Sequence, residues 1–387
     1  MIGLDQFRWR CRAFLAEPVE DLGGMWPTAI DFQRRLFDAG LAGITVPVEY
    51  GGQGLSVEHL EVLNAEAAGM ELPLGAFTIT LGMCVPVLLA HGTESQRMRH
   101  IEPMLRGDEV WCQLFSEPNA GSDVAAAQTR AVRDGDEWVM NGQKVWTSSA
   151  ERASFGMCIA RTDPDVPKHR GLTMFVVPMD APGVTVRPLL QMNGSSGFNE
   201  VFLDDVRLPD SARLGDTGRG WAVAVSMLMN ERATLGASGN SLTSGSTAPV
   251  LAARHEFGGR RQALADLYIR EEVLRIVALR IRAATEAGRD PGPVGSIAKL
   301  AGSELVRRSA EELVATRGAA SMAWEPGDEA AEAALARFLM APGMTIAGGT
   351  SEIQRNIIGE RVLGLPKEPD VDRDVPFRDV LQNRSPR

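Results

Sequence analysis

Two runs, Leu114–Asp123 and Asn141–Ser148, constrain this chain more than any bulk property. The first reads Leu-Phe-Ser-Glu-Pro-Asn-Ala-Gly-Ser-Asp and the second Asn-Gly-Gln-Lys-Val-Trp-Thr-Ser. Small hydroxyls, turn-forming glycines and one Trp stand at fixed distances in a strand-rich region. That set suits the edge and face of a flat, redox-active ring. Backbone N–H groups and hydroxyls can bond the edge, and an aromatic can cover a face. Taken singly, each residue is an ordinary polar turn or a core position; the signal lies in the combination and its spacing.

The chain has 387 residues, too many for one ordinary domain, which predicts two or three. Its texture changes along its length. Residues 1–111 carry helical periodicity, as in Phe7, Cys11, Phe14 and Leu15. Within them, Pro47–Gly54 is glycine-rich but lacks the last glycine of a dinucleotide fingerprint, and a helix follows it. Residues 112–216 show short alternating runs, among them Glu137–Val139, Lys144–Trp146, Phe155–Ala160 and Leu172–Val177. Asp134–Gly135 and Asn141–Gly142 between them read as turns. Helical spacing returns over residues 217–366, beginning with Trp221, Val225, Leu228 and Met229. Residues 367–387 form a charged, proline-containing tail that is expected to be loose. The expectation is an α+β multi-domain chain: an N-terminal helical domain, a central β domain and a C-terminal four-helix bundle.

Composition excludes several classes. A formal net charge of −10 argues against a nucleic-acid partner, which needs a basic patch. Cys11, Cys84, Cys112 and Cys158 are scattered, with no CxxC and no His at ligand spacing. This predicts no metal site and no disulfide framework, and fits a reducing, cytoplasmic setting. Met1–Glu20 reads as an amphipathic helix without the apolar core of a signal peptide. Leu72–Ala90 carries no charge, but Pro73, Gly75, Gly82 and Pro86 interrupt it. It is expected to be a pair of buried helical segments, broken near Pro86, and no integral membrane span.

The two runs resemble those of the acyl-CoA dehydrogenase family of flavoproteins. Further blocks carry the likeness: Pro47–Gly54, Phe198–Pro209, Asn230–Gly236 and Gly349–Gly364, so that it extends from about Phe7 to Pro366. The resemblance implies the three-domain order above, FAD as cofactor and an acyl-CoA as substrate. It implies an electron-transfer flavoprotein as acceptor and a homotetramer, built as a dimer of dimers through the C-terminal helices, or a dimer. By this resemblance Gln113, Leu114, Phe115, Ser116 and Ser122 line the flavin ring, and Trp146, Thr147 and Ser148 form the second flavin-contacting strand. Ser122 also matches a position beside the acyl thioester. Gly348–Arg355 resembles the family's GTSEIQR motif, in which Thr350 and Glu352 hold the nucleotide half of FAD and Gly349 lies at the substrate. Thr350 also reads as an ordinary helix cap with an acidic residue behind it. Arg254 and Phe257 resemble an R-x-x-F-G motif that contacts the nucleotide of a neighbouring subunit. The segment after Gly258 is shorter than that pattern. Lys168, His169 and Arg170 form a basic loop that either meets a coenzyme A phosphate or is simply solvated. Met83 and Cys84 either line an acyl pocket or pack a core.

The departure from the pattern concerns the base. The family's reaction removes the α-proton of an acyl thioester and a hydride from its β-carbon. Many members place the required glutamate directly before the GTS glycine, where this chain has Gly348. Other members carry it on the long helix opening the C-terminal domain, one residue before an arginine. Glu231 matches that base and Arg232 the arginine, so the resemblance implies the subgroup with its glutamate on the long helix. Leu228, Met229 and Leu235 are expected to desolvate the carboxylate and raise its pKa. Two other readings share the fold: an oxygen-using flavin oxidase or monooxygenase, and a partner subunit that completes a cofactor pocket in a hetero-oligomer.

Overall fold

The computed structural model describes residues 2–70, 72–237, 260–287, 293–325, 327–367, 369 and 372–380. Arg254 and Phe257 therefore lie outside the described residues. The chain divides into two compact units, one of Met1–Leu190, Ser196–Glu231 and Asp370–Arg387, the other of Gln191–Ser195 and Arg232–Pro369.

The first unit opens with helices α1 (Leu4–Leu15), α2 (Met25–Asp38), α3 (Val57–Glu66), α4 (Val85–His91) and α5 (Glu94–Arg106). In α1 the buried residues are Phe7, Cys11, Phe14 and Leu15, the stripe that the periodicity predicts. Helix α5 starts on a capping box, in which Thr93 and Gln96 satisfy each other's backbone N–H groups. The uncharged segment is not broken near Pro86 as expected: the helix is continuous through that proline, and the irregular part lies earlier, over Pro73–Phe77. A tight turn over Pro73–Phe77 is followed by a π-helical turn over Thr80–Cys84 that runs into α4, with Pro86 in its first turn. Met83 and Cys84 pack into the core. Among the described residues, no helix is long and apolar enough to cross a membrane.

A mixed sheet follows, of β1 (Trp111–Leu114), β2 (Arg130–Asp134), β3 (Glu137–Ser148), β4 (Phe155–Arg161), β5 (Leu172–Pro178), β6 (Val184–Leu189), β7 (Phe198–Pro209) and β8 (Arg213–Leu214). Its order is β6-β7-β3-β2-β4-β5-β8, with β1 parallel to β4. Strands β4 and β5 are buried almost throughout because both faces are covered. Trp111, Met157, Ile159, Leu172 and Met174 pack on the helices, while Leu114, Cys158, Phe175 and Val177 meet Trp138, Met140, Val201 and Leu203 from β3 and β7.

One expectation fails here. Asn141–Gly142 is not a turn but lies inside β3, one long strand that joins the two short runs read from the sequence. The ladder to β7 slips between Met140 and Gly142. Asn141 closes this bulge through its side chain, donating to Asp205 Oδ1 at 2.9 Å and accepting from the Asp205 N–H at 3.0 Å. Gly142 is required by contact: a Cβ there would fall 2.3 Å from Thr129 Oγ1 and 2.7 Å from its Cα.

Helix α6 (Gly220–Ala237) leaves the sheet, and the residues up to Glu231 belong to the first unit. Its buried residues Val223, Ala224 and Met227 join the core between sheet and helices. The tail also differs from expectation. Phe377 is only 6% exposed, and its N–H bonds the Val166 carbonyl at 2.9 Å. An apolar anchor and a backbone pairing outweigh the charged composition around them.

The second unit holds α7 (Arg261–Glu286), α8 (Val294–Arg317), α9 (Glu329–Met344) and α10 (Ser351–Ile357). Leu267 and Leu274 of α7, Leu305 and Leu313 of α8 and Ala334 of α9 form its core.

The seat of α6 has a sharp requirement. A Cβ on Gly220 would lie 2.5–2.7 Å from the backbone of Thr173, whose hydroxyl accepts from the Gly218 N–H at 3.0 Å. Backbone cannot step aside, so Gly220→Ala is expected to cost about 1–3 kcal/mol as an overpacked contact. Thermal unfolding checks this; an unchanged Tm would mean that the helix seat tolerates the methyl group.

Candidate active site

The two sequence runs meet through one buried ion pair. Lys144, wholly buried in β3, places Nζ 2.8 Å from Glu117 Oε1. The same ammonium donates to the carbonyls of Ile159 at 2.8 Å and Phe115 at 3.2 Å. Glu117 in turn accepts from the N–H of Gln128 at 2.6 Å and of Thr129 at 2.9 Å. The Val145 N–H adds a bond to the Ser116 carbonyl at 2.9 Å. The loop after β1 is thereby pinned to β3 with both charges compensated and their hydrogen-bonding capacity used. Burial pushes the Glu117 carboxyl up, but the Lys144 charge and the bonds from Lys144, Thr129 and Gln128 outweigh it and hold the pKa below 4.5. Both residues stand inside the quoted runs, yet spacing alone assigned neither a role.

Around this pair, Leu114 and Phe115 are buried, Gln113, Ser116 and Ser148 half-buried, and Ser122 exposed. Trp146 departs most from ordinary packing. It is 59% exposed and adopts φ +59°, in the left-handed region that bulky L-residues avoid. Here β3 slips against β7 for a second time, between Lys144 and Thr147. The indole touches Phe198 edge-on, with centroids 5.9 Å apart. Backbone strain of this kind is costly and tends to be kept at functional sites.

The buried atoms Thr147 Oγ1 of β3 and Gln113 Nε2 of β1 find no protein hydrogen-bond partner among the described residues. Unpaired buried polar groups are costly and rare, and they call for an absent partner. One exposed aromatic face and two unpaired polar atoms, on strands joined by the Glu117–Lys144 pair, fit a flat heteroaromatic ring with polar edges. The residues expected to hold a flavin ring are thus suited to it.

The expected base also lies in the first unit. Glu231 follows Val223 and Met227 at successive four-residue steps, so it continues the row of α6 that faces the core. It is half-buried. The desolvating neighbours need correction: Met229 is 58% exposed and points elsewhere. Of the expected neighbours Leu228 is partly buried against the core, and Met227, one turn before Glu231, is fully buried. Arg232 and Leu235 lie on α6, and their side chains are outside the described residues.

In the second unit, Thr350 caps α10, its hydroxyl accepting from the Ile353 N–H at 3.3 Å. Glu352 is exposed. Gly348 and Gly349 take φ +68° and +94°, a conformation that strains any residue with a Cβ. Lys299 Nζ donates to the Gly349 carbonyl at 2.6 Å, and Gln354 Nε2 to the Gly348 carbonyl at 2.9 Å. Position 348 is therefore held as a glycine turn, unsuited to a glutamate. Of the basic loop, Lys168 pairs with Asp123 Oδ2 at 2.6 Å, and His169 packs edge-on against Trp221. Among the described residues, no group of three His, Cys, Asp or Glu could hold a metal.

Comparison with known proteins gives three consecutive family matches. They are the acyl-CoA dehydrogenase N-terminal domain over residues 4–108, middle domain over 112–206 and C-terminal domain over 218–363. The chain is 36% identical to acyl-CoA dehydrogenase IpdE1 of Mycolicibacterium smegmatis, over 95% of this chain and 99% of that one. It is 38% identical to acyl-CoA dehydrogenase FadE34 of Mycobacterium tuberculosis over 87% of its residues, but spans only 46% of that longer relative. Among solved structures, the Tcur3481-Tcur3483 steroid ACAD aligns with a TM-score of 0.78 and 29% identity, covering 94% of this chain and 98% of that one. The ChsE4-ChsE5 complex from Mycobacterium tuberculosis aligns at 0.77 and 29%, with the same coverage.

The buried pair makes a signed prediction. Because the folded pKa of Glu117 is depressed, its stabilising contribution is complete above the ordinary carboxylate range and is lost as pH falls through the folded value. Lys144→Met strands the carboxylate and is expected to cost about 3–5 kcal/mol at neutral pH. Denaturant midpoints from pH 7 down to pH 3 check this. The variant should lose less on acidification than the parent, and an equal loss would show that the pair contributes no pH dependence.

Proposed function

Because the chain belongs to the acyl-CoA dehydrogenase family, whose members are FAD-dependent oxidoreductases, we propose that it dehydrogenates an acyl-CoA to the 2-enoyl-CoA with Glu231 as base. The observation that carries the assignment is the paired state of two positions. Glu231 sits on the core-facing row of α6, while Gly348 occupies a left-handed turn where no carboxylate stands.

In this reading Gln113–Ser116, Ser122, Trp146, Thr147 and Ser148 hold the isoalloxazine, and Thr350 and Glu352 hold the nucleotide. Bound FAD supplies the acceptor for the β-hydride. Glu231 takes the α-proton, and the apolar Met227 and Leu228 surroundings exclude water that would compete for it. Arg232 and Gly349 lie on the substrate side. The strained Trp146 and the fixed loop keep the ring's position set before substrate arrives, so little reorganisation remains for the chemical step. An electron-transfer flavoprotein is the proposed electron acceptor. The cytoplasm is the proposed location, in keeping with four buried cysteines that form no disulfide.

The acyl group is proposed to be bulky and ring-bearing. A similar solved structure is described as a steroid ACAD, and a base on a helix leaves the turn at 348 without a side chain. A second arrangement has a specific observation behind it: another similar structure is a complex of two named chains. A hetero-oligomer with a related partner subunit is therefore kept beside a homotetramer or dimer. One flavin per chain in protein purified alone excludes the partner-subunit arrangement.

Glu231→Gln is expected to keep yellow, FAD-loaded protein while slowing anaerobic flavin bleaching by a ring-bearing acyl-CoA at least ~100-fold. Undiminished bleaching would remove Glu231 from the mechanism. Fast reaction of the reduced protein with oxygen would favour an oxidase or monooxygenase instead.

A further inference from the structure

A strap of residues 372–380 packs on the sheet domain. Its residues Pro376–Arg378 lie along the loop that joins β4 to β5: Pro376 bridges Pro167, and the N–H groups of Phe377 and Arg378 bond the Val166 and Pro164 carbonyls at 2.9 and 3.0 Å. Arg378 and Asp165 add an ion pair. The Phe377 ring is thereby laid over the Arg161 guanidinium, with Cζ 3.7 Å from the ring centroid.

Arg161 is the hub of this region. It is buried, and its Nη2 donates to the Ala125 and Ala127 carbonyls at 2.6 and 3.2 Å. Its Nη1 donates to the Lys168 carbonyl at 2.6 Å. Lys168 then reaches forward to Asp123, the residue after Ser122. Burial pulls the Arg161 pKa down to about 10, against the raising effect of Glu117, Asp123 and Asp163. No carboxylate is within ion-pair distance among the described residues, so the aromatic face supplies electrostatic compensation and keeps water out.

We propose that Phe377 is a positioning residue for the substrate-side loop 118–127, acting through Arg161 and the Lys168–Asp123 pair. The proposal rests on the reading of Ser122 as a neighbour of the thioester. The C-terminal strap sets how tightly that loop is held, and so how well the acyl-CoA binds, without touching the reacting atoms. The sequence feature behind it is the single aromatic, Phe377, in a tail rich in charge and proline.

Phe377→Ala, Phe377→Leu and Phe377→Tyr in the full FAD-loaded chain test this by two measurements. Hydrogen exchange of the peptides covering 118–128 is expected to accelerate roughly tenfold in the Ala and Leu variants and to stay at the parent rate in Tyr, which restores the cation–π face. KM for the acyl-CoA is expected to rise by roughly tenfold in the same two variants, with kcat within about twofold. Unchanged exchange in Phe377→Ala overturns the proposal, as does rescue by Leu as complete as by Tyr. Accelerated exchange with an unchanged KM overturns the link to substrate. A parent protein that turns over no acyl-CoA defeats the functional reading instead, and the exchange arm still decides the strap.

Discussion

The Lys144–Glu117 contact is the constraint on which the rest of the site depends. A wholly buried ammonium and a buried carboxylate are tolerable only when each is compensated and hydrogen-bonded. Here the requirement is met by the backbone of three separate segments: the loop at Phe115–Glu117, the stretch Gln128–Thr129 and strand β4 at Ile159. Satisfying one ion pair therefore fixes the mutual positions of the residues proposed to grip a flavin ring. A hydrophobic pair of similar size would be as stable or more so, but it would not dictate where those carbonyls and amides stand.

With that frame rigid, strain can be stored beside it. Trp146 sits two residues from Lys144 in a conformation unfavourable for a bulky residue, with most of its surface bare. Thr147 and Gln113 keep polar atoms buried without protein partners among the described residues. The two unpaired polar atoms and the bare indole are each suited to a flat ligand with polar edges. The same logic separates the two places a base could occupy. The turn at Gly348 is left-handed, with Gln354 and Lys299 bonded to its carbonyls, and would strain a glutamate, whereas α6 carries Glu231 on its core-facing row at no backbone cost.

Much of this was legible in the sequence, for definite reasons. The helix–sheet–helix order follows from periodicity, and the site residues follow from long strings with a specific resemblance. What was not legible depends on distant contacts. Asn141–Gly142 has the composition of a turn, and only Thr129 and Asp205, brought against it by the sheet, make it a bulge. Glu117 and Lys144 are 27 positions apart, and nothing local says that they touch. The left-handed twist at Trp146 follows from a ladder slip that no composition records. In the tail, charge and proline masked Phe377, whose partner Arg161 lies on a strand far back in the chain. Met229 shares an apolar character with its neighbours but not their face of the helix.

The central claim is that strain at Trp146 is retained for a bound flavin ring. The direct measurement is Trp146→Gly, read as the thermal stability of the flavin-free protein together with its affinity for FAD. The account predicts opposite signs: the apoprotein gains about 1–2 kcal/mol as the left-handed residue is relieved, and FAD binding weakens by roughly tenfold as the covering face is lost. A less stable apoprotein that binds FAD as tightly as the parent would contradict the account and make Trp146 a packing residue of the sheet.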